Sequence, residues 1–250
     1  MKKYLMYAGL ILFALQAKAQ VNLDDSIVSA NIVNIDLGFG FPAADMAARF
    51  GPHATVGGGY QFKTAKNWIF GLNGSYIYGN VVKEDSILDV LKNDAGFLIG
   101  TDGLLYDPIL WEQGFDFKFQ AGKITNLFSI NPNSGLAFLG GIGFLQHNIW
   151  IYIDEQVVPQ LDKQYRKGYD RLSNGLMLNQ YIGYYFFSNK NFVNFRAGFE
   201  IDEAFTQNRR SYNYDTQIAD VEQRFDMLIT LKLSWNLPLF EKPQRKYYSY

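Results

Sequence analysis

Val33-Asn34-Ile35-Asp36-Leu37-Gly38-Phe39-Gly40-Phe41 is the stretch on which the fold turns. Its odd positions are all apolar and its even ones are Asn, Asp or Gly, an unbroken period of two. A strand sends successive side chains to opposite faces, so this segment has one oily face and one polar face. Residues 225–237 repeat the pattern: Phe225, Met227, Ile229, Leu231, Leu233, Trp235 and Leu237 oppose Asp226, Thr230, Lys232, Ser234 and Asn236, with Leu228 as the exception. Within 192–202, Val193, Phe195, Ala197, Phe199 and Ile201 oppose Asn194, Arg196, Gly198, Glu200 and Asp202. Phe115, Phe117, Phe119 and Ala121 oppose Asp116, Lys118 and Gln120.

Weaker alternation over 54–64, 68–81, 136–153 and 176–187 brings the strands to about eight. Outward residues there include Val56, Tyr60, Phe62, Phe70, Leu72, Tyr76, Tyr78, Leu178, Ile182 and Tyr184. The connections alternate in length. Ala65-Lys66-Asn67, Asn131-Pro132-Asn133-Ser134-Gly135 and Ser188-Asn189-Lys190-Asn191 have turn composition at hairpin length. Those over about 42–53, 82–113, 154–175 and 207–224 are longer. Short turns alternating with long loops are the pattern of a transmembrane antiparallel up-and-down β-barrel, turns facing the periplasm and loops the exterior. A soluble barrel with a ligand cavity shows the same alternation with its faces exchanged. The many Phe and Leu on one face, and charges of both signs on the other, favour lipid outside.

The N-terminus reads as an export signal: Lys2 and Lys3, an apolar stretch over 5–15, then Ala17-Lys18-Ala19 before Gln20. The apolar run is too short for a spanning helix. Cleavage after Ala19 divides the chain into a signal peptide (1–19), an N-terminal periplasmic segment (20–31), the barrel (32–237) and a periplasmic tail (238–250). Loss of Lys2, Lys3 and Lys18 takes the formal charge from −1 to −4, and no nucleic-acid partner is expected. The chain has no cysteine, which removes both a disulfide framework and lipoprotein anchoring. Aromatic residues make up 17%, with 23 Gly and 7 Pro, a balance that suits strands with an aromatic outer face.

In this architecture the chain resembles the small eight-stranded outer-membrane barrels of the OmpA and OmpX type. A signal ending Ala-Lys-Ala-Gln and the aromatic-rich strands look like the outer-membrane barrels of Bacteroidota. The resemblance implies an assembly signal in the last strand, which Ile229, Leu231, Leu233 and Trp235 match, although residues 238–250 run on past it.

A barrel of this size is just wide enough for its own side chains. Asp36, Lys63, Asp116, Lys118, Arg196, Glu200, Asp202, Asp226 and Lys232 project inward, as packed ion pairs or as a polar conduit. In the second loop Asp85-Ser86 starts a short helix with Ile87, Leu88, Val90 and Leu91 as its apolar stripe. Phe97, Leu98, Ile99, Leu104, Leu105, Tyr106, Ile109, Leu110 and Trp111 follow. So much apolar surface marks a partner-binding loop, or a loop folded over the barrel mouth against a helical turn in the first loop. Ile87, Leu88, Leu91, Phe97, Leu104, Leu105, Tyr106, Leu110 and Trp111 are the candidate partner contacts there. Arg245, Lys246, Tyr247 and Tyr248 are those of the tail. Arg209, Arg210, Tyr212 and Tyr214 are candidates for lipopolysaccharide phosphates or a protein.

His53 and His147 fall near the outer rim, but neither adjoins a serine in a nucleophilic arrangement, and no metal-ligand spacing appears. The expectation is therefore a non-enzymatic outer-membrane protein without cofactor, in contact with outer-membrane lipid and lipopolysaccharide. It would serve as a structural or interaction subunit of a larger complex, such as a secretion or outer-membrane assembly machine. A lipid-modifying enzyme and a narrow channel or transporter are the alternatives.

Overall fold

Antiparallel strands close on themselves in a computed structural model that describes Leu23 and residues 26–154, 156–189 and 192–240. The strands are β1 (Ala30–Ala44), β2 (His53–Lys63), β3 (Trp68–Gly79), β4 (Leu98–Ile99), β5 (Leu105–Tyr106), β6 (Ile109–Ile124), β7 (Gly135–Tyr152), β8 (Ser173–Phe186), β9 (Phe195–Asn208) and β10 (Gln223–Phe240). Eight of them form a closed barrel in the order β1-β10-β9-β8-β7-β6-β3-β2, and β4–β5 is a separate small hairpin. This is the eight-stranded up-and-down architecture that the resemblance implies.

The register fixes the barrel's shape. A path across paired residues leaves Val33 for Tyr60, Leu72, Phe119, Ile142, Leu178, Glu203 and Met227, and re-enters β1 at Ala43. The chain has climbed ten residues along β1 in one circuit. Such a stagger goes with strands tilted by about 40° and an interior that side chains fill.

The faces are arranged for lipid. Leu37, Phe117 and Leu231 on the outer wall are 58%, 52% and 54% exposed, while Asp36, Lys118, Glu200 and Lys232 inside are buried. All nine ionisable residues expected to project inward are buried. Tyr60, Trp68 and Trp235 ring the outer wall near the short-turn end, and Tyr78, Trp111, Trp150 and Tyr152 near the long-loop end. An apolar band between aromatic girdles around a charged interior defines a transmembrane barrel. Among the described residues no helix is long and apolar enough to cross a membrane.

The strands run longer than alternation alone indicates, with the barrel spanning 30–240 instead of 32–237. Ile109, Leu110 and Trp111 belong to β6 and not to the second loop. The turn between β6 and β7 covers 125–134, longer than the five residues expected, because Asn131 Oδ1 accepts from the N–H groups of Asn133 and Ser134 and folds the chain locally. β10 continues through Pro238 to Phe240, paired with Ala30–Ile32 across the closure. The signal peptide, its cleavage site and the tail residues Arg245, Lys246, Tyr247 and Tyr248 lie outside the described residues.

Leu23 is buried among Ile32, Ile69, Ile124 and Tyr185 at the turn end of the barrel. Its N–H donates to Asn189 Oδ1 at 2.8 Å, and Asn133 Nδ2 donates to the carbonyls of Leu23 and Ser26 at 3.0 and 2.8 Å.

Candidate functional site

The barrel interior is built in layers. In the middle, Lys118 Nζ lies 2.8 Å from Glu200 Oε1, 2.8 Å from Asp202 Oδ2 and 3.2 Å from Asp116 Oδ1. Lys232 donates to the same Glu200 oxygen. Arg196 donates to Ser234 Oγ and Tyr185 Oη at 2.8 Å each, and to Asp36 Oδ2 at 3.1 Å. An amide relay then crosses from wall to wall. Asn34 donates to Asn73 at 3.2 Å, Asn73 to Gln120 at 2.7 Å, Gln120 to Asn179 at 2.6 Å and Asn179 to Asp202 at 2.6 Å. Of the two interiors open from the sequence, the packed one is observed. Among the described residues, the side chains of this net are buried and hold their charges in opposite-sign pairs.

Apolar layers close both ends. Leu23, Ile32, Ile69, Ile124 and Tyr185 seal the turn end. At the loop end Ile77, Leu145, Met177 and Leu228 on the wall meet Met46, Phe50, Ile87, Leu88, Leu98, Val158 and Leu161 from the loops. Leu228, the break in the alternation of β10, is therefore inward and apolar because its level of the interior is apolar.

A second polar group is set into the loop-end layer. Asp226 accepts from Arg49 Nη2 at 2.8 Å and Thr206 Oγ1 at 2.5 Å, and its Oδ2 lies 2.9 Å from His147 Nε2. Phe50 packs edge-on against His147, with ring centroids 5.5 Å apart. His53 and Glu112 are buried nearby on either side of Gly79, where a Cβ would lie 2.6 Å from Glu112 Oε2 and 3.4 Å from His53 Cβ. Among the described residues no serine hydroxyl is hydrogen-bonded to either histidine; Ser173 Oγ donates to the Arg171 carbonyl at 3.0 Å. Among the described residues no acid–histidine cluster has the make-up of a metal site.

Above this layer the four long loops form one crown. A chain of charges joins them: Arg49 Nε is 3.9 Å from Glu84 Oε1, and Glu84 Oε2 is 3.1 Å from Arg171 Nε. Arg171 Nη1 then donates to Asp215 Oδ1 at 2.9 Å. Burial disfavours the charged guanidinium of Arg171, but Asp215 and Glu84 outweigh it and raise its pKa above the ordinary arginine value. Thr101 N–H donates to the Val157 carbonyl at 2.8 Å, joining the second loop to the third. Arg210 is paired with Asp170.

The second-loop residues separate into three environments. Ile87 and Leu88 are buried in the underside of the crown, with Leu91, Tyr106 and Leu110 partly buried against it. Phe97, Leu104 and Leu105 are exposed at 38%, 61% and 56%, beside Ile99 at 52%. Trp111 faces outward in the loop-end girdle, its ring 5.0 Å from Tyr78 and 6.3 Å from Tyr152. The helix at Asp85–Leu91 is a 3₁₀ helix whose N-cap is Glu84, with no side-chain capping bond. The N-cap position thus falls on Glu84, one residue before the expected Asp85-Ser86, and the carboxylate of Glu84 is turned to Arg171. Met46 and Phe50, four residues apart at the two ends of the helical turn Met46–Arg49 expected in the first loop, also build the crown, as do Val158 and Leu161 of the third loop. Arg209, Arg210, Tyr212 and Tyr214 line one wall of an open groove of about 450 Å³, with Tyr165 and Lys167 opposite.

No protein-family model and no curated protein matches the chain. Three solved structures are among those to which the chain is similar. Ail, the attachment invasion locus protein of Yersinia pestis, in complex with the heparin analogue sucrose octasulfate, is 8% identical, with 84% of this chain and 99% of that one covered at a TM-score of 0.38. Neisserial surface protein A is 10% identical over 82% and 96%, with a TM-score of 0.40. The outer membrane protein OprG from Pseudomonas aeruginosa is 10% identical over 86% and 99%, with a TM-score of 0.39.

Proposed function

We propose that this chain is a non-enzymatic outer-membrane barrel of a Gram-negative bacterium that serves as an interaction subunit of a larger membrane complex. One observation carries the reading. The crown is fixed to the barrel from below, yet it holds Phe97, Ile99, Leu104 and Leu105 in water at the far end of the second loop. A rigid, exposed apolar cluster costs solubility and is retained where a partner covers it. A barrel filled by side chains supports this reading over that of a channel. Two buried histidines without a nucleophile support it over that of a lipid-modifying enzyme. The cationic and aromatic groove at Lys167, Arg209 and Arg210 suits the phosphates of lipopolysaccharide, which surround such a barrel on its outer side.

Mild-detergent extraction of a tagged chain from native membranes, followed by sizing and identification of co-purifying proteins, tests the proposal. A stoichiometric partner, lost when Leu104 and Leu105 are replaced by serine, is the expected result. A lone particle of barrel size, unchanged by the double substitution, would overturn it.

A further inference from the structure

Among the described residues, Glu203 on β9 is the one charged side chain at an outward-facing position between the two aromatic girdles; Gln180 on β8 is polar beside it, and the other polar ones, Gln113 on β6 and Gln146 and Asn148 on β7, adjoin the loop-end girdle. Gln180 and Glu203 are neighbours. Gln180 Nε2 donates to Glu203 Oε1 at 3.4 Å, a long contact, and it is the one hydrogen bond found for either side chain. Their surroundings are wholly hydrocarbon. Along the strands lie Leu178 and Ile182, and Ile201 and Phe205; across them Glu203 pairs with Leu178 and Met227. A carboxylate at such a place meets acyl chains, which offer no hydrogen bond and a low dielectric. The interior shows how this chain ordinarily treats a carboxylate: Glu200, three residues before Glu203 on β9 and on its opposite face, has two lysines.

The wall beside the pair is shaped as well as polar. Phe117, Ile142, Phe144, Leu176, Leu178 and Phe205 border an apolar groove of about 500 Å³. Gly140, paired with Gln180 across the strands, faces outward, and a Cβ there would meet nothing within 4 Å. A smooth glycine flank, a groove and a polar pair together make a surface on which another backbone can lie close.

We propose that this face is an intramembrane docking site for a membrane-spanning segment of a different protein that places a cationic or hydrogen-bond-donating side chain at the depth of Glu203. The charge selects a different protein over a second copy. A two-fold axis along the membrane normal sets each residue at the depth of its own image, so a self-dimer here brings Glu203 against Glu203. The proposal rests on the interaction-subunit reading and adds that a partner is engaged through the barrel wall as well as at the crown.

The test uses the full chain in native membranes, with a photo-crosslinking amino acid placed at Leu178, at Leu104 on the crown, or at Val56 on β2, across the barrel from β8. The expected result is a hetero-adduct with a membrane protein from position 178 and none from position 56. The Glu203→Leu, Gln180→Leu variant should lower the 178 adduct about tenfold, as loss of a charge-assisted bond implies. That variant removes polar groups from a lipid-facing surface, so it should keep the heat-resistant gel mobility of a folded barrel; loss of that mobility would overturn the idea by making the pair structural. Self-adducts or lipid adducts alone from position 178, with protein adducts from position 104, would overturn the wall site and leave the subunit reading standing. Protein adducts from neither position would overturn both.

Discussion

Arg171 grips Asp215 with both terminal guanidinium nitrogens, Nη1 to Oδ1 at 2.9 Å and Nη2 to Oδ2 at 2.5 Å, while its Nε turns to Glu84. One side chain of the third loop thus holds the second and the fourth. The contact is bidentate and mostly shielded from water, the geometry in which an ion pair contributes most. Arg171→Ala is expected to cost the crown about 2 kcal/mol of local stability. Limited proteolysis of the loops should then run about 30-fold faster with the barrel core still protected, because local opening follows its own free energy.

The underside and the far end of the second loop should respond differently to truncation. Leu88 is fully buried and Leu104 is 61% exposed. Leu88→Ala should destabilise the crown by about 2–4 kcal/mol, the usual cost of emptying a packed leucine site. Leu104→Ala should stay within about 0.5 kcal/mol, as surface changes do. Hydrogen exchange over residues 85–106 in detergent-solubilised protein reads both.

Lys118 faces three carboxylates, those of Asp116, Glu200 and Asp202. Lys118→Met should leave this anionic cluster short of a cation and lower stability by about 3–5 kcal/mol, the cost of breaking a buried pair from one side. Urea unfolding monitored by tryptophan fluorescence measures the loss. In planar bilayers the unaltered chain should show no steady ion conductance, since the net of side chains is continuous across the interior.

Asp220 gives the fourth loop a pH limit. Burial acts to raise its pKa, but hydrogen bonds from Arg224 and Asn208 outweigh that and hold it below the ordinary aspartate value of 3.8. With the folded value depressed, the stabilisation is present above the unfolded pKa and fades as pH falls through the folded one. The loop should therefore stay closed at pH 5 and loosen only below the usual carboxylate range. Proteolysis of residues 209–222 across that range, with Asp220→Asn as the pH-insensitive control, checks the sign.

Much of the barrel was legible in the sequence because a strand between lipid and an ion-paired interior must alternate. Residues 33–41 and 225–237 show it plainly, and the residues at their inward positions are buried as expected. Strand ends were less legible. At the loop end the interior turns apolar, so Leu145, Ile149 and Ile151 on β7 face inward beside outward Phe144, Trp150 and Tyr152, and both faces look alike. The same loss of contrast hid Ile109 to Trp111 as strand. The crown was legible only as an excess of apolar residues, since which of them turn down and which up depends on the ties from Arg49, Glu84 and Arg171. Glu203 lies one step beyond the stretch whose parity the sequence displays, ending at Asp202, and so its outward direction passed unseen.

The short stretch ahead of β1 has a consequence for how the molecule is made. Leu23 is held by Asn189, in the connection between β8 and β9, and by Asn133, in the connection between β6 and β7. Neither anchor is in place until most of the wall stands. The earliest described residue of the chain is thus among the last to find its seat, and its docking certifies a finished cylinder. A barrel stalled with its final strands unpaired would leave this stretch loose, a difference that a quality-control protease could read.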